Sequence, residues 1–126
     1  MLKLHAPSDM FVPVAPYAQA IEATEVNRLL FISGTMGLRP DGSLATDFEG
    51  QCEQVWKNIQ STLRSADMEF TNLAKLVVWL ARREDWRIAA QIRQRYLGEH
   101  KVAMSVVQVG FIDTDWLLEV EAIAVA

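Results

Sequence analysis

Trp116-Leu117-Leu118-Glu119-Val120-Glu121-Ala122-Ile123-Ala124-Val125-Ala126 closes the chain, and its reading decides the fold. It is apolar and β-branched enough to form a strand, and a strand sends alternate side chains to opposite faces. One face is then Trp116, Leu118, Val120, Ala122 and Ala124, an unbroken core stripe. The other carries Leu117, Glu119, Glu121, Ile123 and Val125. Two carboxylates therefore sit two apart on one face of an apolar strand. An unpaired buried carboxylate is costly, so this face looks onto water, a partner charge or a polar cavity. For both residues an ordinary solvated strand face stands beside the cavity reading.

Working outward, Val102–Val109 alternates as well, with Met104, Val106 and Gln108 on one face and Ala103, Ser105, Val107 and Val109 on the other. Leu73–Leu80 is nearly all apolar, a strand expected to be buried on both faces. Between these strands, Trp86–Leu97 has helical spacing, with Trp86, Ala89, Ile92 and Tyr96 inward and Gly98 as the stop signal. Arg87, Arg93 and Arg95 read as its solvated outer face. An earlier helix carries Phe48, Cys52, Val55, Ile59, Leu63 and Ala66 at intervals of three and four, and Thr46 with Glu49 forms a capping-box pattern before it. Cys52 lies on that apolar stripe with no histidine on neighbouring turns, which reads as core rather than nucleophile.

Toward the N-terminus, Met1–Pro16 holds three of the four prolines and is an extended lead-in, with an edge strand at Leu2–His5. Tyr17–Ala23 and Leu29–Ser33 read as two strands joined in a hairpin, and Gly34 and Gly37 mark a bulge or close backbone approach. Arg39-Pro40-Asp41-Gly42 is a turn. The order is β-β-β, α, β, α, β-β. This predicts an α+β domain over residues 1–126, one mixed sheet with two helices on one face. The last strand is apolar on both faces, so the second sheet face is expected to be covered by another copy of the chain.

Composition narrows the function. The chain has 126 residues, 51% of them hydrophobic, and a net charge of −4, enough for a packed core and against disorder or a nucleic-acid-binding charge patch. The single cysteine excludes an internal disulfide and a Cys-rich metal site, and fits a reducing cytoplasm. No signal-peptide core or membrane-span pattern occurs, so a membrane partner is not expected. His5 and His100 stand alone, and neither phosphate-loop nor dinucleotide-binding nor zinc-protease patterns are present, so no metal or cofactor is expected. What remains is carboxylates, a tyrosine, and backbone near Ser33-Gly34 and Ser105.

Five stretches, in order, resemble the Rid family (reactive intermediate deaminase A, also called YjgF). They are Pro16-Tyr17-Ala18-Gln19-Ala20, Leu30-Phe31-Ile32-Ser33-Gly34, Gln51 to Asn58 with Leu63, Tyr96-Leu97-Gly98-Glu99-His100, and Glu119-Val120-Glu121-Ala122-Ile123-Ala124. The resemblance implies a chorismate-mutase-like α+β fold and a homotrimer with small-molecule clefts between subunits. It also implies cofactor-free hydrolysis of reactive enamines or imines to a carbonyl compound and ammonia. Carried over residue by residue, Glu121 is the water-activating carboxylate, Tyr17 lines the cleft, and the backbone at Gly34 and Thr35 approaches the ligand. The family's Pro-Ala-Arg-Ser segment, whose arginine clamps a substrate carboxylate, corresponds to Val102-Ala103-Met104-Ser105. Methionine at that position cannot bind an anion, and a lost charge-assisted contact weakens binding by about 1.5–3 kcal/mol. The family's Asn on the second helix is Ala90, its serine after the tyrosine is Ala18, and its glutamine after Ser-Gly is Thr35. Arg93 or Arg39 is a candidate replacement cation, although nothing in the sequence places either in the cleft. Three readings follow: a divergent deaminase with an altered substrate, a non-catalytic trimeric protein that binds a small metabolite in the same cleft, and a structural remnant. Relatives are also associated with nuclease activity or translation inhibition, which the acidic chain does not support.

Overall fold

A computed structural model describes residues 1–126. The strands are β1 (Leu2–His5), β2 (Ala20–Ala23), β3 (Leu29–Thr35), β4 (Leu73–Leu80), β5 (Ala103–Gln108) and β6 (Leu118–Val125). Helix α1 (Phe48–Ser65) lies between β3 and β4, and α2 (Trp86–Leu97) between β4 and β5. The main sheet has the order β3-β6-β4-β5; only β4 and β5 run parallel, joined by α2. It is the expected mixed sheet with both helices on one face.

The core forms where the helix stripes meet one sheet face. Cys52, Val55, Trp56, Ile59 and Leu63 of α1 and Ala89 and Ile92 of α2 are buried against Ile32, Leu76, Val78, Leu80, Leu118, Val120, Ala122 and Ala124. The alternation read in the final strand is reproduced, with Leu118, Val120, Ala122 and Ala124 inward and Glu119, Glu121 and Ile123 outward. Trp56 stacks on Tyr96 at 5.9 Å between centroids, and Phe70 meets both edge-on, tying α1 to α2.

The Gln51-to-Asn58 motif has a structural explanation. Gln51 is buried, donates to the carbonyls of Ala45 and Asp115, and accepts from the Leu117 N–H, at 2.9–3.0 Å. Asn58, two turns on, donates to the carbonyls of Met36 and Leu38. One helix thus holds the approach to β6 and the exit from β3. Gln51→Leu leaves three part-buried backbone groups without this partner. It is expected to lower stability by about 3 kcal/mol, read as a lower urea midpoint at fixed protein concentration with unchanged slope.

Several expectations are corrected. The predicted hairpin of Tyr17–Ala23 with Leu29–Ser33 does not form. β2 pairs antiparallel with β1 in a separate ribbon, and β3 pairs with β6, because the long apolar β6 offers a better partner than the four-residue β2. Residues before β2 instead run beside β5, with Ala18 bridged to Ala103. The capping box is not closed: Asp47 occupies the cap position, without a side-chain bond. β4 is buried on its helix-facing side only, with Lys75, Val77 and Trp79 half-buried on the other. Trp86 is exposed rather than inward, and Arg93 is buried rather than solvated.

The sheet face away from the helices is bare within one chain. It carries Phe31, Val77, Trp79, Val107 and Ile123, and Phe31 is 72% exposed. No helix is long and apolar enough to cross a membrane.

Candidate functional site

The residues singled out from the sequence fall into two groups, one on each side of the sheet. The first group lies on the bare face. The β3–β6 ladder pairs Ile32 with Ala122 and Thr35 with Val120, so Ser33 and Gly34 together oppose the single residue Glu121. This is the bulge expected from Gly34, and a bulge leaves part of the ladder unpaired. Across β6, Glu121 pairs with Val77, which pairs with Ser105 on β5. One row therefore runs from the Ser33-Gly34 bulge through Glu121 and Val77 to Ser105. Glu121 is exposed and without an ion pair in the chain. The Glu119 side chain lies over Gly34, where a Cβ would meet its carboxylate and push that side chain aside. Thr35 points its hydroxyl at the Met36 carbonyl, 3.3 Å away. Its backbone, not its side chain, is what remains available at the bulge.

The second group lies on the helix side, at the sheet edge. A cavity of about 260 Å³ is walled by Trp86, Ala90 and Arg93 of α2, Met104 and Val106 of β5, and Ala15 with Tyr17 of the lead-in. Helical spacing puts Trp86, Ala90 and Arg93 on one stripe, and strand alternation puts Met104 and Val106 on one face. Tyr17 reaches the cavity because the Ala18 N–H bonds to the Val102 carbonyl at 2.9 Å, fixing the lead-in along β5. Tyr17 and Met104 are thus brought together as expected. Glu121 and Ser105 are not with them, because they project from the opposite face.

Arg93, named from the sequence as a candidate replacement cation but read as lying on the solvated helix face, lines this cavity. It is 7% exposed and makes no ion pair within the chain, and desolvation holds its pKa below the usual arginine range. The signal was available: Arg93 stands four residues after Ala89 and three before Tyr96, inside the helix's apolar stripe.

Other groups are accounted for elsewhere. Burial pushes the Cys52 thiol up to about 12, so it is a core residue, as its spacing indicated. His5 pairs with Glu22 at 2.7 Å, and His100 Nε2 lies 2.7 Å from the Leu73 carbonyl. No group of three metal-ligating side chains occurs. A larger cavity, about 380 Å³ beside Arg64, Asp67 and Phe70, contains none of the expected residues and no unpaired buried polar group.

A small apolar cavity with a phenol and a buried cation, beside a mixed sheet backed by two helices, makes this an α+β protein with a candidate small-molecule site. The family model described as Endoribonuclease L-PSP matches residues 7–126, and the chain belongs to this family, the Rid proteins. A RutC family protein of Aquifex aeolicus is 34% identical, covering 91% of this chain and 90% of that one. The human protein named 2-iminobutanoate/2-iminopropanoate deaminase is 31% identical, over 89% of this chain and 81% of its own length. The crystal structure of YyfB, a Rid-family protein from Yersinia pestis, superposes with a TM-score of 0.87 at 26% identity, covering 99% and 98% of the two chains.

Proposed function

We propose that this protein is a cofactor-independent imine or enamine deaminase working in clefts between the subunits of a homotrimer. The observation that carries the reading is the placement of Glu121: an exposed carboxylate opposite a backbone bulge, on an otherwise apolar sheet face. The deaminase names of similar proteins support the same chemistry. Glu121 takes a proton from water as the water oxygen attacks the iminium carbon. It returns that proton to nitrogen, and as the C–N bond breaks it accepts the remaining hydroxyl proton and passes it to solvent, giving a carbonyl compound and ammonia. Gly34 and Thr35 contribute backbone at the bulge, and Ser105 a hydroxyl at the end of the row. Tyr17 and Met104 shape the substrate's side of the cleft.

Within one chain Glu121 and the Tyr17–Met104 cavity face opposite ways. In our reading each cleft takes its carboxylate face from one protomer and its cavity from the next, which also covers Phe31 and its apolar neighbours. Met104, in place of the arginine of typical relatives, alters the substrate. The same methionine favours a second reading, in which the trimer binds a metabolite in that cleft without turnover.

The deciding experiment measures carbonyl release from enzymatically generated imines, ranging from small aliphatic to bulky aromatic. Acceleration of hydrolysis over the spontaneous rate is expected for the larger apolar imines. A protein inert across the panel that still binds the corresponding carbonyl products makes the second reading the correct one.

A further inference from the structure

We infer that Arg93 is the anion anchor of the α2–β5 cavity, which takes a small monoanionic carboxylate with an apolar body; this rests on the ligand cleft proposed above and names its substrate class. Only three polar or charged residues are buried in the chain: Gln51, Asp85 and Arg93. Gln51 is held by three hydrogen bonds, and Asp85 is paired with Arg82 at 2.8 and 3.1 Å. Arg93 alone has no carboxylate near it; the one group of opposite charge that touches its electrostatics is the Cys52 thiol, which stays protonated at neutral pH. A desolvated cation without a counterion is unfavourable, and such sites are supplied with an anion. No buried side-chain nitrogen in the chain is both unbonded and sealed from solvent, so the guanidinium retains an opening, and Arg93 is a wall of the cavity.

The rest of the cavity describes the ligand. No second cation lines it, so one negative charge is matched. A planar guanidinium fits a carboxylate through two parallel N–H donors. Trp86, Ala90, Met104 and Val106 offer apolar contact to the body, and Tyr17 adds a phenol to the lining. Met104 and Arg93 line the same cavity from strand and helix, so the cation comes from α2 and β5 contributes an apolar wall. That wall selects a bulkier, more hydrophobic acid.

Calorimetry of the full-length protein with 3-phenylpropanoate and its neutral isostere 3-phenylpropanamide tests this without turnover. The acid is expected to bind on the order of tenfold to a hundredfold more tightly than the amide. Arg93→Met should erase that preference while raising the melting temperature, because an unpaired buried charge is removed. Arg93→Lys should keep part of the preference, and Arg93→Met with Met104→Arg should restore it. Equal binding of acid and amide by the parent, no binding of either at millimolar concentration, or an unchanged preference in Arg93→Met overturns the proposal. So does dissociation of the assembly by Arg93→Met in sedimentation, which assigns Arg93 to a partner-subunit carboxylate instead. The two proposals fail separately. A protein that hydrolyses imines but treats acid and amide alike keeps the deaminase and loses the anchor. One that prefers the acid but is inert to imines does the reverse.

Discussion

Glu121→Gln is expected to lower kcat for imine hydrolysis by about 10²–10⁴-fold with little change in melting temperature. The substitution keeps the shape of the side chain and removes only its ability to accept and return a proton. Glu121 is exposed and makes no ion pair in the chain, so the fold loses nothing when it becomes neutral. Were Glu121 a packing residue, stability would fall together with activity. Were it an idle surface carboxylate, neither would change. Steady-state carbonyl release beside a thermal melt distinguishes the three cases. The expected pattern is a loss in kcat larger than any change in KM, because in the proposed mechanism Glu121 acts on water and the leaving nitrogen rather than on the substrate's body. A Glu121→Gln protein retaining more than about a tenth of parental kcat would remove Glu121 from the proton-transfer role, since a positioned general acid–base contributes more than that.

The contrast between Glu121 and Arg93 shows which features the sequence carries openly. Glu121 is legible because its strand is long and strictly alternating: the apolar residues at 118, 120, 122 and 124 leave only one face for it. The bulge opposite is legible too, because Gly34 interrupts an otherwise apolar strand. β4 and α2 can be read to the residue, since their boundaries are set by strong local signals such as Gly98. The errors have a common physical origin in competition between distant partners. β2 and β3 are neighbours in sequence, yet each pairs with a different strand, and no local pattern states which pairing wins. Arg93 reads as outward by residue type alone, although its helical position places it with Ala89 and Tyr96. Residue type is a good guide to burial only until a site requires otherwise, and functional positions are where local rules break. Trp86 errs in the opposite direction. It is 51% exposed because it forms a cavity wall at the molecule's edge, with Arg87 stacked over its ring at 5.5 Å.

Because cavity and carboxylate face opposite ways, two different inactive proteins should restore one another's activity. Ala90→Trp fills the α2–β5 cavity with an indole while leaving the bare sheet face untouched, so on the proposed function this variant alone should be inactive through loss of substrate binding. Glu121→Gln spoils the sheet face and leaves the cavity intact. The two chains are co-expressed in equal amounts, with different tags that report their incorporation. In the proposed assembly each cleft pairs the cavity of one protomer with the carboxylate face of its neighbour. A cleft works when its cavity comes from a Glu121→Gln chain and its carboxylate from an Ala90→Trp chain. Random assembly of equal amounts therefore returns about a quarter of parental activity, from two parents each near zero. If cavity and carboxylate instead acted within the same chain, every chain in the mixture would carry one defect and no activity would return. The measured fraction is informative beyond its presence. A value well below a quarter with equal incorporation would mean that the introduced indole disturbs the neighbouring cleft as well as its own. A double variant carrying both substitutions, co-assembled with parental chains, sets the scale for that comparison. Under random mixing it leaves the same quarter of clefts intact, those in which both halves come from parental chains, so the two mixtures should agree when each substitution acts only where the geometry places it.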